Sequence, residues 1–195
     1  MKPYVIAEMG VNFYDTAKKL NINPLEAAKM YIDAAAEAGI DCAKFQSYKA
    51  GTIVSKNSPA YWDLTKEPTK TQYELFLKHD SFGECEYREL CKYTHDKGMD
   101  FTSTPFDYAS ADYLYDMVDF YKISSSDLSN LPFIHHIGAK GKPVFVSVGA
   151  AYLSECDEAI RALQESGCKD IVVFHCVLSL SLIHISEPTR LQLIS

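Results

Sequence analysis

Charged and amide side chains occupy strand positions in the stretch DCAKFQSY, residues 41–48. Lys44 and Gln46 alternate there with apolar residues. Side chains two residues apart on a strand point to the same face, so this face carries an ammonium and an amide. Glu8 and Lys122 stand within two other apolar runs. Two ammonium groups hold phosphate and carboxylate oxygens, and a carboxylate orients water or moves a proton. A small phosphorylated acid is the ligand that suits this set.

The elements that must position these residues are repeated βα units. Amphipathic helical stretches, each followed by a glycine and a short apolar strand, predict an α/β fold with parallel strands. The predicted strands are 4–10, 40–46, 99–106, 118–126, 142–149 and 169–176, and the predicted helices are 23–39, 84–97, 108–117, 131–139 and 154–166. Each strand carries its polar side chains toward its carboxyl end, where parallel α/β folds bind ligands.

The polar strand residues also have structural explanations. Serines and threonines at strand ends often cap the next helix, and Glu8 could simply pair with Lys44 or Lys122. Because a buried charge without a partner is costly, one glutamate and two lysines at converging strand ends favour a site. His175 could be a core histidine. The long insertion 49–82, which carries the chain's single tryptophan, is either functional or a packed surface loop.

Composition excludes several classes of partner. The formal net charge of -7 argues against a surface that attracts nucleic acid or anionic lipid. The sequence has no nucleotide-binding glycine motif. No apolar run approaches the roughly 20 residues that span a bilayer, and the cysteines form no C-x-x-C pair. We therefore expect a cytoplasmic protein that binds neither nucleic acid nor membrane.

Six motifs resemble the N-acetylneuraminate (sialic acid) synthase family, with its legionaminic acid and spore-coat polysaccharide relatives. They run in the family's order from about residue 4 to residue 179, as IAEMGVN, AKFQSY, TSTPFD, YKISSSDLSNLP, GKPVFVSVG and VVFHCVLS. The resemblance implies a (β/α)8 TIM barrel, of which this chain holds about six of the eight βα units. Residues 1–179 are then a partial barrel domain.

The resemblance also implies the reaction and its residues. Family members condense phosphoenolpyruvate with an N-acetylated hexosamine, such as N-acetylmannosamine or a legionaminic-type precursor, to a nine-carbon 2-keto acid and phosphate. Glu8, Lys44 and Lys122 would be catalytic. The substrate-binding set would be Gln46, Thr104, Ser125, Asp127 and Ser147, with Gln46 and Asp127 facing the sugar. Asp127 stands where some members have glutamate.

The chain departs from the family pattern after Ser179. Residues 180–195, LSLIHISEPTRLQLIS, resemble a translated sequencing adapter, so we expect a non-native tail. The family's divalent metal, manganese or magnesium, would take its ligands from residues absent from this chain, and a homodimer is expected for the full-length family. We expect the fragment to be inactive alone.

Two other functions fit the same residues. A Schiff-base aldolase would use Lys44 or Lys122 as a nucleophile, because burial can neutralise a lysine at a barrel strand end. A non-catalytic phospho-ligand binding module would keep the same cluster without turnover.

Overall fold

The computed structural model describes residues 2–149 and 151–176. In this part of the chain, parallel strands alternate with helices along the sequence. The strands are β1 Ile6–Gly10, β2 Cys42–Ser47, β3 Asp100–Pro105, β4 Tyr121–Ile123, β5 Val144–Ser147 and β6 Ile171–Phe174. The helices are α1 Phe13–Leu20, α2 Pro24–Glu37, α3 Ala50–Ile53, α4 Gln72–Leu77, α5 Glu84–Asp96, α6 Tyr108–Tyr113, α7 Leu131–Gly138 and α8 Leu153–Glu165.

The strands lie side by side in chain order. β1, β2 and β3 pair in parallel, and so do β4, β5 and β6. The two groups meet where the Asp119 amide donates to the Phe101 carbonyl at 3.0 Å and the Thr102 hydroxyl donates to the Phe120 carbonyl at 2.6 Å. Six parallel strands that lie in chain order and are joined by helical crossovers match part of a (β/α)8 barrel, so the prediction of a partial barrel is confirmed.

The helices cover the outward faces of the strands. Phe45 on β2 and Phe101 on β3 are fully buried in one core with Ile32 of α2 and Leu90 of α5. The alternate residues of the same strands, including Lys44, therefore face the barrel interior. This division between an apolar outer face and a polar inner face positions the site.

The predicted helix at 23–39 is α2, and its ends form as the sequence indicates. The Asn23 side chain accepts from the Leu25 amide at 2.8 Å, and Gly39 follows the helix with φ of +72°. The structure adds α1, which the sequence reading missed. It also ends α6 at Tyr113, earlier than predicted, because the chain turns there to bury Met117 and Val118 before β4.

The insertion 49–82 is folded against the carboxyl ends of the strands. It contains α3, α4 and an antiparallel bridge between Pro59 and Thr71. The Lys49 ammonium donates to the Phe82 carbonyl at 2.8 Å and also to the Asp80 carbonyl, which closes the insertion at its base. The insertion therefore forms a wall above the strand ends.

Across residues 2–149 and 151–176, every helix is too short or too polar to cross a bilayer. The predicted tail at 180–195, and the last residues of the predicted domain 1–179, lie outside the described residues.

Candidate active site

The register of β1 and β2 places Glu8 beside Lys44. The two residues are direct partners across the parallel pair, and the Lys44 ammonium contacts the Glu8 carboxylate. Lys44 is 8% exposed, whereas half of the Glu8 side chain reaches solvent. The sequence left Glu8 with two possible lysine partners, and the structure pairs it with Lys44.

A β-bulge sets the direction of the Glu8 side chain. The register shifts between Glu8 and Gly10, and Gly10 has φ of +54°, in the left-handed region that favours glycine. A Cβ atom at Gly10 would lie 3.3 Å from Glu8 Oε1. The Gln46 amide donates to that same oxygen at 3.4 Å. The bulge and its glycine thus let Glu8 contact both Lys44 and Gln46 of β2.

Lys122 completes the cationic pair from β4. It is 6% exposed, its ammonium donates to the Ile123 carbonyl at 2.8 Å, and it lies 5.9 Å from the centre of the Phe174 ring. Glu8, Lys44, Lys122 and Ser147 line one cavity of about 430 Å³ at the barrel interior. We call it the donor cavity. The structure therefore brings together predicted site residues from four different strands.

Burial lowers the pKa of both lysines. Burial is the main cause that lowers the pKa of Lys44 to about 7, and the positive charge of Lys122 is the second. Burial also lowers the pKa of Lys122 to about 8. The Glu8 carboxylate acts in the opposite direction on Lys44, since an adjacent negative charge favours the charged amine. An anion in the donor cavity would stabilise both ammonium groups in the same way.

A second cavity, of about 580 Å³, opens beside the first between the strand ends and the insertion. Gln46 and Asp127 line it, and we call it the acceptor cavity. Burial raises the pKa of Asp127, although the Ser126 hydroxyl donates to its carboxylate at 3.4 Å and opposes the rise. Gln46 joins the two cavities, because its amide reaches Glu8 in the wall of the donor cavity.

Two predicted contacts stand beside these cavities. Thr104 is buried and lies opposite Gln46 in the register of β2 and β3. Ser125 begins the short 3-10 turn Ser125–Asp127 that follows β4. In the described residues, neither belongs to the wall of the donor or acceptor cavity. His175, the weaker candidate, is exposed.

The sequence reading missed several polar residues of the acceptor cavity. Thr52, Gln72 and His79 reach it from the insertion, and Asn130 reaches it from the start of α7. The length of the insertion was the available signal for the first three. Asn130 precedes a Leu-Pro pair, and such a residue resembles an ordinary helix cap.

The described residues do not form a metal site. Within 2–149 and 151–176, no three histidine, cysteine, aspartate or glutamate side chains converge to hold an ion. The one carboxylate of the donor cavity already contacts the Lys44 ammonium. The side chains of the donor cavity therefore do not fit a divalent metal, which needs several oxygen or nitrogen ligands.

Known proteins with similar sequences include two from microorganisms. An uncharacterised protein of Methanocaldococcus jannaschii is 34% identical over 90% of this chain and 46% of its own length. The N,N'-diacetyllegionaminic acid synthase of Legionella pneumophila is 33% identical over 90% of this chain and 49% of its own length. The chain thus spans about half the length of the curated relatives it matches.

A solved structure shares the fold. The N-acetylneuraminic acid (sialic acid) synthetase of Leptospira borgpetersenii, crystallised with citrate, superposes with a TM-score of 0.77 and 26% identity. The similarity covers 97% of this chain and 60% of that one. The model of the NeuB family matches residues 31–182, which include β2 to β6. The chain belongs to the NeuB family.

Proposed function

We propose that the protein acts in the condensation of phosphoenolpyruvate with an N-acetylated hexosamine, giving a nine-carbon 2-keto acid and phosphate. The observation that carries the proposal is the buried pair of Lys44 and Lys122 in one cavity with the Glu8 carboxylate. Relatives named as legionaminic acid and N-acetylneuraminate-9-phosphate synthases support it. These relatives share 33% and 30% identity with the chain.

The donor cavity suits a small anion with both phosphate and carboxylate groups. Two buried ammonium groups repel each other and lose hydration, so a multiply charged anion between them offsets both costs. We propose that the ammonium groups of Lys44 and Lys122 bind the phosphate and carboxylate oxygens of phosphoenolpyruvate. The Ser147 hydroxyl adds a neutral hydrogen-bond donor from β5. Thr104 and Ser125 lie outside the walls of both cavities and stay predicted contacts of the phosphoenolpyruvate.

The acceptor cavity suits a sugar because its walls offer amides, hydroxyls and one carboxylate. Gln46 and Asp127 would bind the sugar hydroxyls and hold its aldehyde toward the donor. The enol carbon then attacks the aldehyde carbon, and a carbon–carbon bond forms. Water adds to the resulting cation, and phosphate leaves to give the ketone. We assign to Glu8, which is half exposed, the role of taking a proton from that water.

The proposal also covers the oligomeric state, the metal ion and the cellular location of the full-length protein. We infer a homodimer and a bound manganese or magnesium ion for the full-length protein, with metal ligands from outside the described residues. We also place the reaction in the cytoplasm, because the described cysteines are free.

Calorimetric titration of the 195-residue chain with phosphoenolpyruvate tests the donor site. We expect saturable binding to the unmodified chain and its loss in Lys122→Met. Lys142→Met is the matched control, because the Lys142 ammonium also donates to a backbone carbonyl, that of Val118, at 2.6 Å, but outside the donor cavity. Equal affinity in Lys122→Met and the unmodified chain would refute the proposal.

One observation favours a second candidate, a Schiff-base aldolase. A lysine with a pKa of about 7, like Lys44, is partly neutral near physiological pH and can attack a carbonyl. Borohydride treatment in the presence of pyruvate separates the two functions. Covalent labelling of Lys44 or Lys122 would support the aldolase. We expect no labelling, because contact with the Glu8 carboxylate favours the charged form of Lys44, which does not attack a carbonyl.

A further inference from the structure

A third cavity, which the proposed reaction does not use, lies between α1 and the insertion 49–82. Its volume is about 750 Å³, and Tyr61 and Trp62 form part of its wall. We call it the aromatic cavity. It is close in size to the cavities that bind small molecules in proteins.

The aromatic wall is held in a fixed orientation. The Trp62 indole N–H donates to the carbonyls of Glu67 and Thr69, at 3.1 and 3.2 Å. Tyr61 stands edge-on to the indole, with 5.1 Å between the ring centres. Tyr61 is also 79% exposed, so its ring presents an uncovered apolar face. An exposed tyrosine held beside a fixed tryptophan is a preformed contact surface for a ligand that is partly apolar and partly polar.

The charges around the aromatic cavity balance one another. Its two carboxylates and two ammonium groups belong to Asp15, Glu67, Lys18 and Lys78. Glu67 Oε1 lies 3.0 Å from the Lys78 ammonium, and Asp15 Oδ1 lies 3.7 Å from His79 Nε2. The formal charges of the two carboxylates and the two ammonium groups cancel, so the cavity does not favour an ionic ligand. Its polar atoms remain available for hydroxyl and amide groups.

The aromatic cavity adjoins the acceptor cavity. Leu75 and His79 line both of them. One ligand can therefore extend from Gln46 and Asp127, past His79, to the rings of Tyr61 and Trp62. In the proposed reaction the aldehyde end of the acceptor faces the donor cavity, so the opposite end faces the aromatic cavity.

We propose that the aromatic cavity binds the end of the acceptor sugar farthest from its aldehyde and selects uncharged acceptors that carry an acyl substituent there. This inference rests on the proposed acceptor role of Gln46 and Asp127. The aromatic faces cover the apolar part of the acyl group, and the carboxylates of Asp15 and Glu67 in the same wall repel a phosphate. Tyr61 and Trp62 are then specificity-determining residues supplied by the insertion.

Trp62 is the one tryptophan of the chain, so its fluorescence reports on this cavity alone. The probes are N-acetylmannosamine, its 6-O-acetyl derivative and its 6-phosphate. We expect a saturable fluorescence change with the 6-O-acetyl sugar, at an affinity about fivefold to tenfold higher than for the unsubstituted sugar. The 6-phosphate should bind more weakly than both.

Tyr61→Ala should remove the preference for the 6-O-acetyl sugar. Tyr152→Ala is the matched control, because Tyr152 is 78% exposed and lies outside this cavity. This inference alone would be overturned if Tyr61→Ala kept the preference for the 6-O-acetyl sugar. It would also be overturned if the sugars caused no change in Trp62 fluorescence while phosphoenolpyruvate still bound. Absence of phosphoenolpyruvate binding by calorimetry would instead overturn the proposed function, whatever the sugars do.

Discussion

Glu8 and Lys44 face each other across β1 and β2, and the carboxylate of the first contacts the ammonium of the second. Lys122, in the same cavity, has a backbone carbonyl as its hydrogen-bond partner and no carboxylate within ion-pair distance among the described residues. The two lysines therefore differ: Lys44 has a protein counter-charge, whereas Lys122 depends on a bound anion for one.

Lys122→Met should make the chain more stable while it destroys donor binding. Burying an ammonium without a counter-charge costs free energy, and an apolar side chain of similar length removes that cost. We expect the free energy of unfolding at pH 7 to rise by about 1–3 kcal/mol, measured by urea denaturation. The half-buried Lys142, replaced by Met, should give no such gain. A less stable Lys122→Met variant would contradict the prediction.

The stability of the chain should rise with pH above about 7. Lys44 has a pKa of about 7 in the folded chain, against 10.5 for a free lysine. Between these values the unfolded chain binds more protons than the folded chain, so the free energy of unfolding increases with pH. Below the folded pKa the cost of the buried charge is fully present. Urea denaturation at several pH values should show a shallower rise for Lys44→Met, and identical slopes would disprove the assignment.

Phosphoenolpyruvate binding should weaken as the pH rises through about 7 to 8. The anion binds the charged lysines, and these have pKa values of about 7 and 8 in the free protein. Glu8→Gln removes the negative charge that favours protonated Lys44. The affinity of this variant for phosphoenolpyruvate should therefore begin to fall at a lower pH than that of the unmodified chain. Calorimetry across this range checks both statements. A pH profile unaltered in Glu8→Gln would show that the contact has no influence on Lys44.

Gly10→Ala should damage both stability and the site, whereas Gly39→Ala should affect stability alone. Both glycines have positive φ, of +54° and +72°, where alanine costs about 1–2 kcal/mol. A Cβ atom at Gly10 meets Glu8 and Gln46, but one at Gly39 has nothing within 4 Å. Thermal melting and calorimetry separate the two effects. Equal donor affinity in both variants would show that the bulge does not position Glu8.

Asp127→Ala should weaken acceptor binding and leave donor binding unchanged. Asp127 lines the acceptor cavity and lies outside the wall of the donor cavity. Loss of a charged hydrogen-bond acceptor should reduce affinity for N-acetylmannosamine about tenfold to a hundredfold. Asp157→Ala, which breaks an exposed pair with Arg161, is the control. A parallel loss of phosphoenolpyruvate affinity would mean that Asp127 acts on the whole site.

Local patterns predicted the strands and the shared face of Lys44 and Gln46. Alternation places Lys44 and Gln46 on the inner face of β2, and the structure confirms that Phe45 between them packs outward. Caps such as Asn23 were equally readable, since a cap acts within three residues. These features depend on near neighbours in the chain, and the sequence records near neighbours directly.

Long-range contacts decided the rest. The Asn12 side chain at the start of α1 makes no capping bond. Phe13 instead packs on Phe45 and Phe82, with ring centres 5.9 and 4.8 Å away. Strand register, set by the whole sheet, made Lys44 the partner of Glu8. The wall that Trp62 and His79 build over the strand ends likewise depends on how the insertion folds back. The sequence alone determined which side chains face inward, and the tertiary structure determined which of them meet, because pairing depends on residues far apart in the chain.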